Sequence, residues 1–291
     1  MPIASFADLW GSLAAVTGLA VLFGVLGWWA GRSLGRVGIT AVIVGLMSAT
    51  VAYLWLGRDA ALWAKLMPVS GVVILSNPTP WLAAGMGGMC LAQGGLPWWR
   101  RGLLAAVLVG AGYFVPIQLL WAEPPPTVPT WIDGVAIQTT SATCSPAAAT
   151  TLLTQHGIET SERQMAELCL TNAEGTPLLG LYRGVAQIAR PHGLRPSMEF
   201  LTLEELQDRP ELLPAVVSVE LTLAAHILEP RYRDEWGWIL GTRHSVTFLA
   251  FDGPDHVWVA DPGVGKERWR LSHTRDLWVG DVLSLVPVHS D

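Results

Sequence analysis

Four apolar stretches in the first half of the chain contain no Asp, Glu, Lys or Arg: Leu9 to Gly31, Val37 to Gly57, Leu66 to Trp99, and Gly102 to Ala122. Each exceeds the roughly 20 apolar residues that a helix needs to cross a bilayer. The pattern predicts an all-α membrane domain over 1–122 with about four transmembrane helices, seated in a lipid bilayer. The third stretch is divided by Pro68, Asn77, Pro78 and Pro80, so its span is expected near Trp81 to Gln93, fed by the preceding apolar turn. An interfacial Val69 to Leu75 followed by a short span gives the same single crossing. A third stretch that failed to cross would leave three spans and move the C-terminal half to the other side.

The pattern changes after Trp121. Glu123-Pro-Pro-Pro-Thr-Val-Pro-Thr, 123–130, is a stiff extended linker, because consecutive prolines favour the polyproline conformation and cannot continue a helix. Beyond it lies a charged, soluble mixture over 131–291, long enough for one domain with its own core. Helical periodicity comes first. A helix is expected over Pro146 to Gln155, another behind Ser161 with Gln164 at the capping-box position, one over Leu179 to Ala189, and one opened by Thr202 with Glu205. Strand-like runs rich in Val, Leu and Phe follow at Ala215 to Leu221, Ser245 to Phe251, Val257 to Ala260 and Val282 to Val286. Helices first and strands after indicate an α+β domain.

Charge adds orientation. Basic residues cluster at Arg32 and Arg36, and again at Arg100 and Arg101, so by the positive-inside rule those two loops are cytoplasmic. The Arg58 to Lys65 loop is mixed in sign, and both chain ends are expected outside, with the C-terminal domain extracytoplasmic at a bacterial-type cell membrane. The start, Met1 to Asp8, lacks the basic n-region of a cleavable signal peptide, so the first span is expected to be retained. Gly27 and Gly31, Gly85, Gly87 and Gly88, and Gly110 and Gly112 point to close helix packing. The spans hold no ionisable side chain beyond Cys90, Tyr53 and Tyr113, which favours an anchor over an intramembrane active site. The net charge of −6 gives no reason to expect nucleic acid as a partner.

Candidate chemistry gathers at Gln138, Cys144, His244 and Asp261. The stretch Gln138-Thr-Thr-Ser-Ala-Thr-Cys144-Ser-Pro runs from turn-forming residues into a helix, and the unpaired amides and dipole of a helix N-terminus favour a thiolate. Pro146 fits a first turn, where its missing donor would be unpaired anyway. A His can hold the thiolate as an ion pair and protonate a leaving amine while a carboxylate orients the imidazole. Other histidines have simpler explanations: His156 and His192 precede Gly at helix ends and His256 follows Asp255 in a turn, which leaves His226 as the rival base. Cys144 has a plainer reading as a buried residue or as half of a disulfide with Cys169, and Cys90 reads as packing. Three cysteines without a Cys-x-x-Cys pair argue against structural zinc, and neither a metal nor an organic cofactor is implied.

On these residues the region from Trp131 to Val288 resembles the bacteriocin-processing, double-glycine-leader peptidases, a papain-like family of cysteine peptidases. Gln138 lies six residues before Cys144, as the oxyanion-hole Gln of papain-like enzymes does; His244 opens an apolar strand; and Asp261-Pro262-Gly263 follows the next strand. The Ala-Ala-Ala-Thr-Thr-Leu-Leu helix after Cys144 and the later His156-Gly-Ile also fit. The resemblance implies a papain-like fold, a Cys144–His244–Asp261 triad with Gln138 in the oxyanion hole, and a peptide or protein substrate. Two departures stand out. Ser145 replaces the usual Gly after the nucleophile, and the chain has no Walker-type phosphate loop, whereas familiar members are fused to an exporter ATPase. The Thr222 to Thr242 insertion, with Tyr232, Trp236 and Trp238, is long for a strand connection and is placed to wall the cleft. The same residues also suit a thiol acyltransferase or amidase, and a catalytically silent peptide-binding domain is the alternative from another class.

Overall fold

The computed structural model describes residues 6–56, 59–228, 230–234 and 237–288. Met1 to Ser5, Gly57, Arg58, Trp236 and Asp291 lie outside the described residues. The chain forms two compact units, one of Met1–Asp59 with Gly71–Trp121 and one of Ala60–Ser70 with Ala122–Asp291.

The helices of the first half are α1 (Ala7–Ser33), α2 (Arg36–Leu56), α3 (Ala60–Leu66), α4 (Val72–Leu75), α5 (Thr79–Ala92) and α6 (Trp98–Leu120). Among the described residues three of these, α1, α2 and α6, are long and apolar enough to cross a membrane, with mean hydropathy of 2.0 to 2.1. The third apolar stretch is instead built in two pieces. Its break falls at Ser76-Asn77-Pro78, where Asn77 Oδ1 accepts the Thr79 N–H at 3.0 Å and satisfies a donor at the start of α5 that has no acceptor within the helix. The Thr79 hydroxyl lies 2.7 Å from the same Oδ1 and 2.8 Å from the Gly112 carbonyl of α6.

The α4–α5 pair runs beside α1 from one end to the other. A Cβ on Gly71 would run into the Ser12 side chain near the start of α1, and one on Gly27 or Gly88 would run into the facing backbone at Gly85 or Gly24. At the far end Gln93 Nε2 donates to the Gly31 carbonyl at 3.3 Å. From Ser12 to Gly31 a helix rises about 29 Å, at ~1.5 Å per residue. Small residues make this approach possible, as expected at Gly27, Gly31, Gly85 and Gly88, while Gly110 faces open space.

The second unit holds a hairpin of β1 (Thr130–Ile132) and β2 (Val135–Ile137), then helices α7 (Cys144–Gln155), α8 (Glu162–Leu168) and α9 (Leu178–Ala189). The remaining elements are β3 (Leu194–Phe200), α10 (Leu203–Gln207), β4 (Ala215–Glu220), α11 (Leu223–Leu228), α12 (Arg231–Asp234), β5 (Arg243–Asp252), β6 (His256–Asp261), β7 (Gly265–Arg270), α13 (Leu271–Leu277) and β8 (Trp278–Pro287). Strands β3 to β8 form one antiparallel sheet in the order β3-β8-β4-β5-β6-β7. Val217, Val219, Val246, Phe248, Val257 and Val259 of its central strands anchor the core. Segment Ala60–Ser70 belongs to this unit's own packing. Helix α3 lies against β3 and α9, and Arg190 Nη2 donates to the Pro68 carbonyl at 2.6 Å.

Local signals set the helices. Ser161 Oγ accepts the Gln164 N–H at 3.2 Å to open α8. At α10 the capping box is complete, with Thr202 and Glu205 each bonded to the other's backbone.

Candidate active site

Cys144 is the first residue of α7 and is buried. The turn before it is closed by Thr143, whose Oγ1 accepts the Thr140 N–H at 3.1 Å and donates to the Thr140 carbonyl at 3.0 Å. Two buried polar ties then fix α7 on β5. Ser145 and Ser245 join their hydroxyls at 2.8 Å, and Thr247 Oγ1 donates to the Ala148 carbonyl at 2.9 Å. Ser145 therefore turns its side chain towards the sheet. Its replacement of the usual Gly supplies a helix-to-strand contact, and Ser245 and Thr247, which the sequence motifs do not single out, complete it.

These ties set Cys144 against the start of β5, where His244 stands. Antiparallel register, with Thr247 opposite Ala260, brings the end of β6 to the same place. His244 Nε2 lies 2.8 Å from Asp261 Oδ1, and the same Oδ1 accepts the Gly263 N–H at 2.7 Å. Asp261 is fully buried. With Nε2 committed to Asp261, Nδ1 is the ring nitrogen left to face the Cys144 thiol, whose electrostatics are coupled to those of the imidazole. The insertion contributes Trp238, whose ring lies 4.6 Å from the His244 ring and is backed by Tyr232 at 5.2 Å.

The electrostatics of the pair oppose one another in the direction a thiolate needs. Burial alone would push the Cys144 thiol up, but the His244 imidazole, the Ser245 backbone and the Ser145 hydroxyl together hold it below the ordinary thiol value. Burial likewise works against a charged His244. The Asp261 carboxylate and the Cys144 sulfur outweigh it and raise the imidazole to about 10.

Gln138 directly follows β2, and its N–H donates to the carbonyl of Pro262, the residue after Asp261, at 2.9 Å. Its Oε1 is buried without a hydrogen-bond partner among the described residues. His244 and Asp261 are thus hydrogen-bonded, and the Gln138 backbone is tied to Pro262 beside Asp261. The rival His226 lies on α11, and among the described residues it bonds to neither Cys144 nor Asp261. All three cysteines are free. Cys169 is wholly buried, its thiol pushed up to about 12 by that burial, with Sγ 3.9 Å from the Leu181 carbonyl. His156 Nδ1 lies 3.0 Å from the Leu152 carbonyl at the end of α7, consistent with a helix-terminal role.

No protein family and no curated protein matches the chain. Among solved structures, the chain is similar to a double glycine motif protease from an AMS/PCAT transporter in complex with the leader peptide, at 17% identity over 57% of this chain and 93% of that one, with a TM-score of 0.40. It is similar to the peptidase domain of Streptococcus ComA, a bifunctional ABC transporter of a quorum-sensing pathway, at 19% identity, 52% and 96% coverage, and a TM-score of 0.41. For the Streptococcus mutans ComA peptidase domain the values are 18%, 53% and 99%, with a TM-score of 0.37.

Proposed function

We propose that this protein is a membrane-anchored cysteine peptidase. The observation that carries the reading is a buried Cys144 at a helix start, the His244 imidazole electrostatically coupled to it, and a buried Asp261 at 2.8 Å from the His244 Nε2. A thiol held low next to an imidazole held high is an ion pair prepared for attack. In the proposed mechanism Cys144 Sγ adds to a peptide carbonyl, and the oxyanion is met by the Gln138 side-chain amide and the Cys144 N–H. His244 gives its proton to the leaving amine as the C–N bond breaks. Water, deprotonated by His244, then hydrolyses the thioester and restores the thiolate. Asp261 keeps the ring oriented throughout.

The membrane half is read as four crossings with the catalytic domain outside. Helices α1, α2 and α6 supply three, and the α4–α5 pair supplies the fourth because it accompanies α1 over about 29 Å, close to the ~30 Å hydrocarbon thickness. Parity supports the same count. Segment Ala60–Ser70 and residues 122–291 pack as one unit, so they share a side, and an even number of crossings must separate them. Arg32, Arg36 and Arg100 lie at the turns that follow α1 and precede α6, the cytoplasmic end by the positive-inside rule.

The test uses the purified full chain with a diverse peptide library, read by mass spectrometry, beside a thiol-directed activity probe. Cleavage products and probe label on Cys144, both lost in Cys144→Ala while the protein stays folded, are the expected result. Full turnover by Cys144→Ala would end the peptidase reading.

A further inference from the structure

Glu162, the first residue of α8, is a buried carboxylate that the triad does not use. Its two oxygens are both taken by one residue: Oε1 accepts the Thr139 N–H at 2.7 Å, and Oε2 accepts the Thr139 hydroxyl at 2.7 Å. Thr139 directly follows Gln138. The Thr139 hydroxyl oxygen in turn accepts the N–H of Val128, a residue of the Pro-rich linker, at 2.8 Å. On the other side of Gln138 its own N–H is held by the Pro262 carbonyl at 2.9 Å. Gln138 and Thr139 are therefore held from three sources: the Gln138 N–H by the residue after Asp261, the Thr139 N–H and hydroxyl by the first turn of α8, and the Thr139 hydroxyl by the linker.

Hydrogen bonds to an ionised acceptor are the short, strong kind, and here the acceptor Glu162 is buried while Thr139 and Val128 are exposed. A carboxylate spent on fixing one loop residue, with no ion-pair partner among the described residues, costs desolvation that the fold would avoid by placing an apolar side chain there. Its effect is to fix the rotation of the backbone that aims the Gln138 side chain. The linker bond adds a second consequence: the tether to the membrane helices is part of the loop that carries Gln138.

We infer that Glu162 and Thr139 are positioning residues for the Gln138 amide, and that the linker contributes to the same positioning through the Val128 N–H. This rests on the peptidase reading, in which Gln138 stabilises the oxyanion. An oxyanion donor matters to carbonyl addition but not to alkylation of the thiol by iodoacetamide, which forms no oxyanion. The two reactions therefore separate positioning of Gln138 from general damage to the Cys144–His244 pair.

The experiment compares the full chain with Thr139→Val, Glu162→Gln and Val128→Pro, the last removing the Val128 N–H in a segment already rich in proline. Each is measured for kcat and KM on one peptide that the wild type cuts and for the rate of Cys144 alkylation. The expected result is a fall in kcat on the order of 10-fold for Thr139→Val, below the roughly 10²- to 10³-fold for losing an oxyanion donor outright, with KM and alkylation within about twofold of wild type. Glu162→Gln retains one acceptor and is expected to fall between the two, and Val128→Pro to show a smaller loss of the same kind. An unchanged kcat in Thr139→Val overturns the inference. So does an equal fall in kcat and alkylation, which would make the network merely structural. A wild type that alkylates slowly and cuts nothing fails the peptidase reading itself, and the inference falls with it.

Discussion

The Cys144 thiol and the His244 imidazole shift one another in opposite directions. The imidazole lowers the thiol, and the sulfur together with Asp261 raises the imidazole to about 10. Thiolate and imidazolium coexist only above the lowered thiol value and below the raised imidazole value. Activity is expected to rise with pH through the first limb, hold across neutral pH, and fall as His244 loses its proton near 10. Asp261→Asn tests the upper limb. Asn can still accept from His244 and from Gly263, but it removes the negative charge that raises the ring. The alkaline limb should therefore move to lower pH while measurable activity survives. Asp261→Ala loses both hydrogen bonds and is expected to drop kcat/KM on the order of 10- to 100-fold, below the roughly 10²- to 10⁴-fold expected for losing the general acid–base itself in His244→Ala. An alkaline limb that stays in place in Asp261→Asn would mean that another group sets it. A dead His226→Ala beside an active His244→Ala would reassign the base.

At the scale of elements, what the chain discloses depends on where an element sits. The central strands β4, β5, β6 and β8 are buried and read as apolar runs. Strands β3 and β7 are the sheet edges, and their sequences, Leu-Arg-Pro-Ser-Met-Glu-Phe and Gly-Lys-Glu-Arg-Trp-Arg, carry the proline and charges that edges tolerate and that mask a strand pattern. The short β1–β2 hairpin was legible only in its Asp133-Gly134 turn, where both residues have positive φ. Chemistry followed the same rule. Gln138, Cys144, His244 and Asp261 are candidates picked by chain order and spacing, whereas Ser245, Thr247 and Glu162 come into view only through contacts between elements far apart in the chain. The Ser145–Ser245 bond gives a stability test. Ser245→Ala leaves the buried Ser145 hydroxyl without its partner and should cost about 1–3 kcal/mol in thermal or denaturant unfolding of the second unit. A loss below about 0.5 kcal/mol would show that Ser145 finds another partner at little cost.

For the whole molecule, the decisive link is between the Ala60–Ser70 segment and the domain that begins some fifty residues later in the chain, at Ala122. Helix α3 packs on β3 and α9, and Arg190 holds the Pro68 carbonyl. In the proposed four-crossing reading, the chain between the two pieces leaves their side of the membrane and returns. That reading takes α6 as one passage and α4–α5 as the other, although α5 has only 14 residues and, among the described residues, only α1, α2 and α6 are long and apolar enough to cross. The apposition of Gly71 to Ser12 and of Gln93 to Gly31 shows how two short helices cover the distance that one long helix covers in α1. The prediction concerns two positions: a reporter active only after export should be active when fused at the C-terminus and inactive when inserted at Gly94-Gly95, between α5 and α6. An export reporter active at both positions would mean that α6 does not cross. A cytoplasmic reporter active at the C-terminus but not at Gly94-Gly95 would invert the whole arrangement, placing the basic turns outside and the Cys144 site in the cytoplasm. Activity of the cytoplasmic reporter at Lys65, with the export reporter active at the C-terminus, would separate α3 from the domain it packs on and remove the parity argument for the fourth crossing.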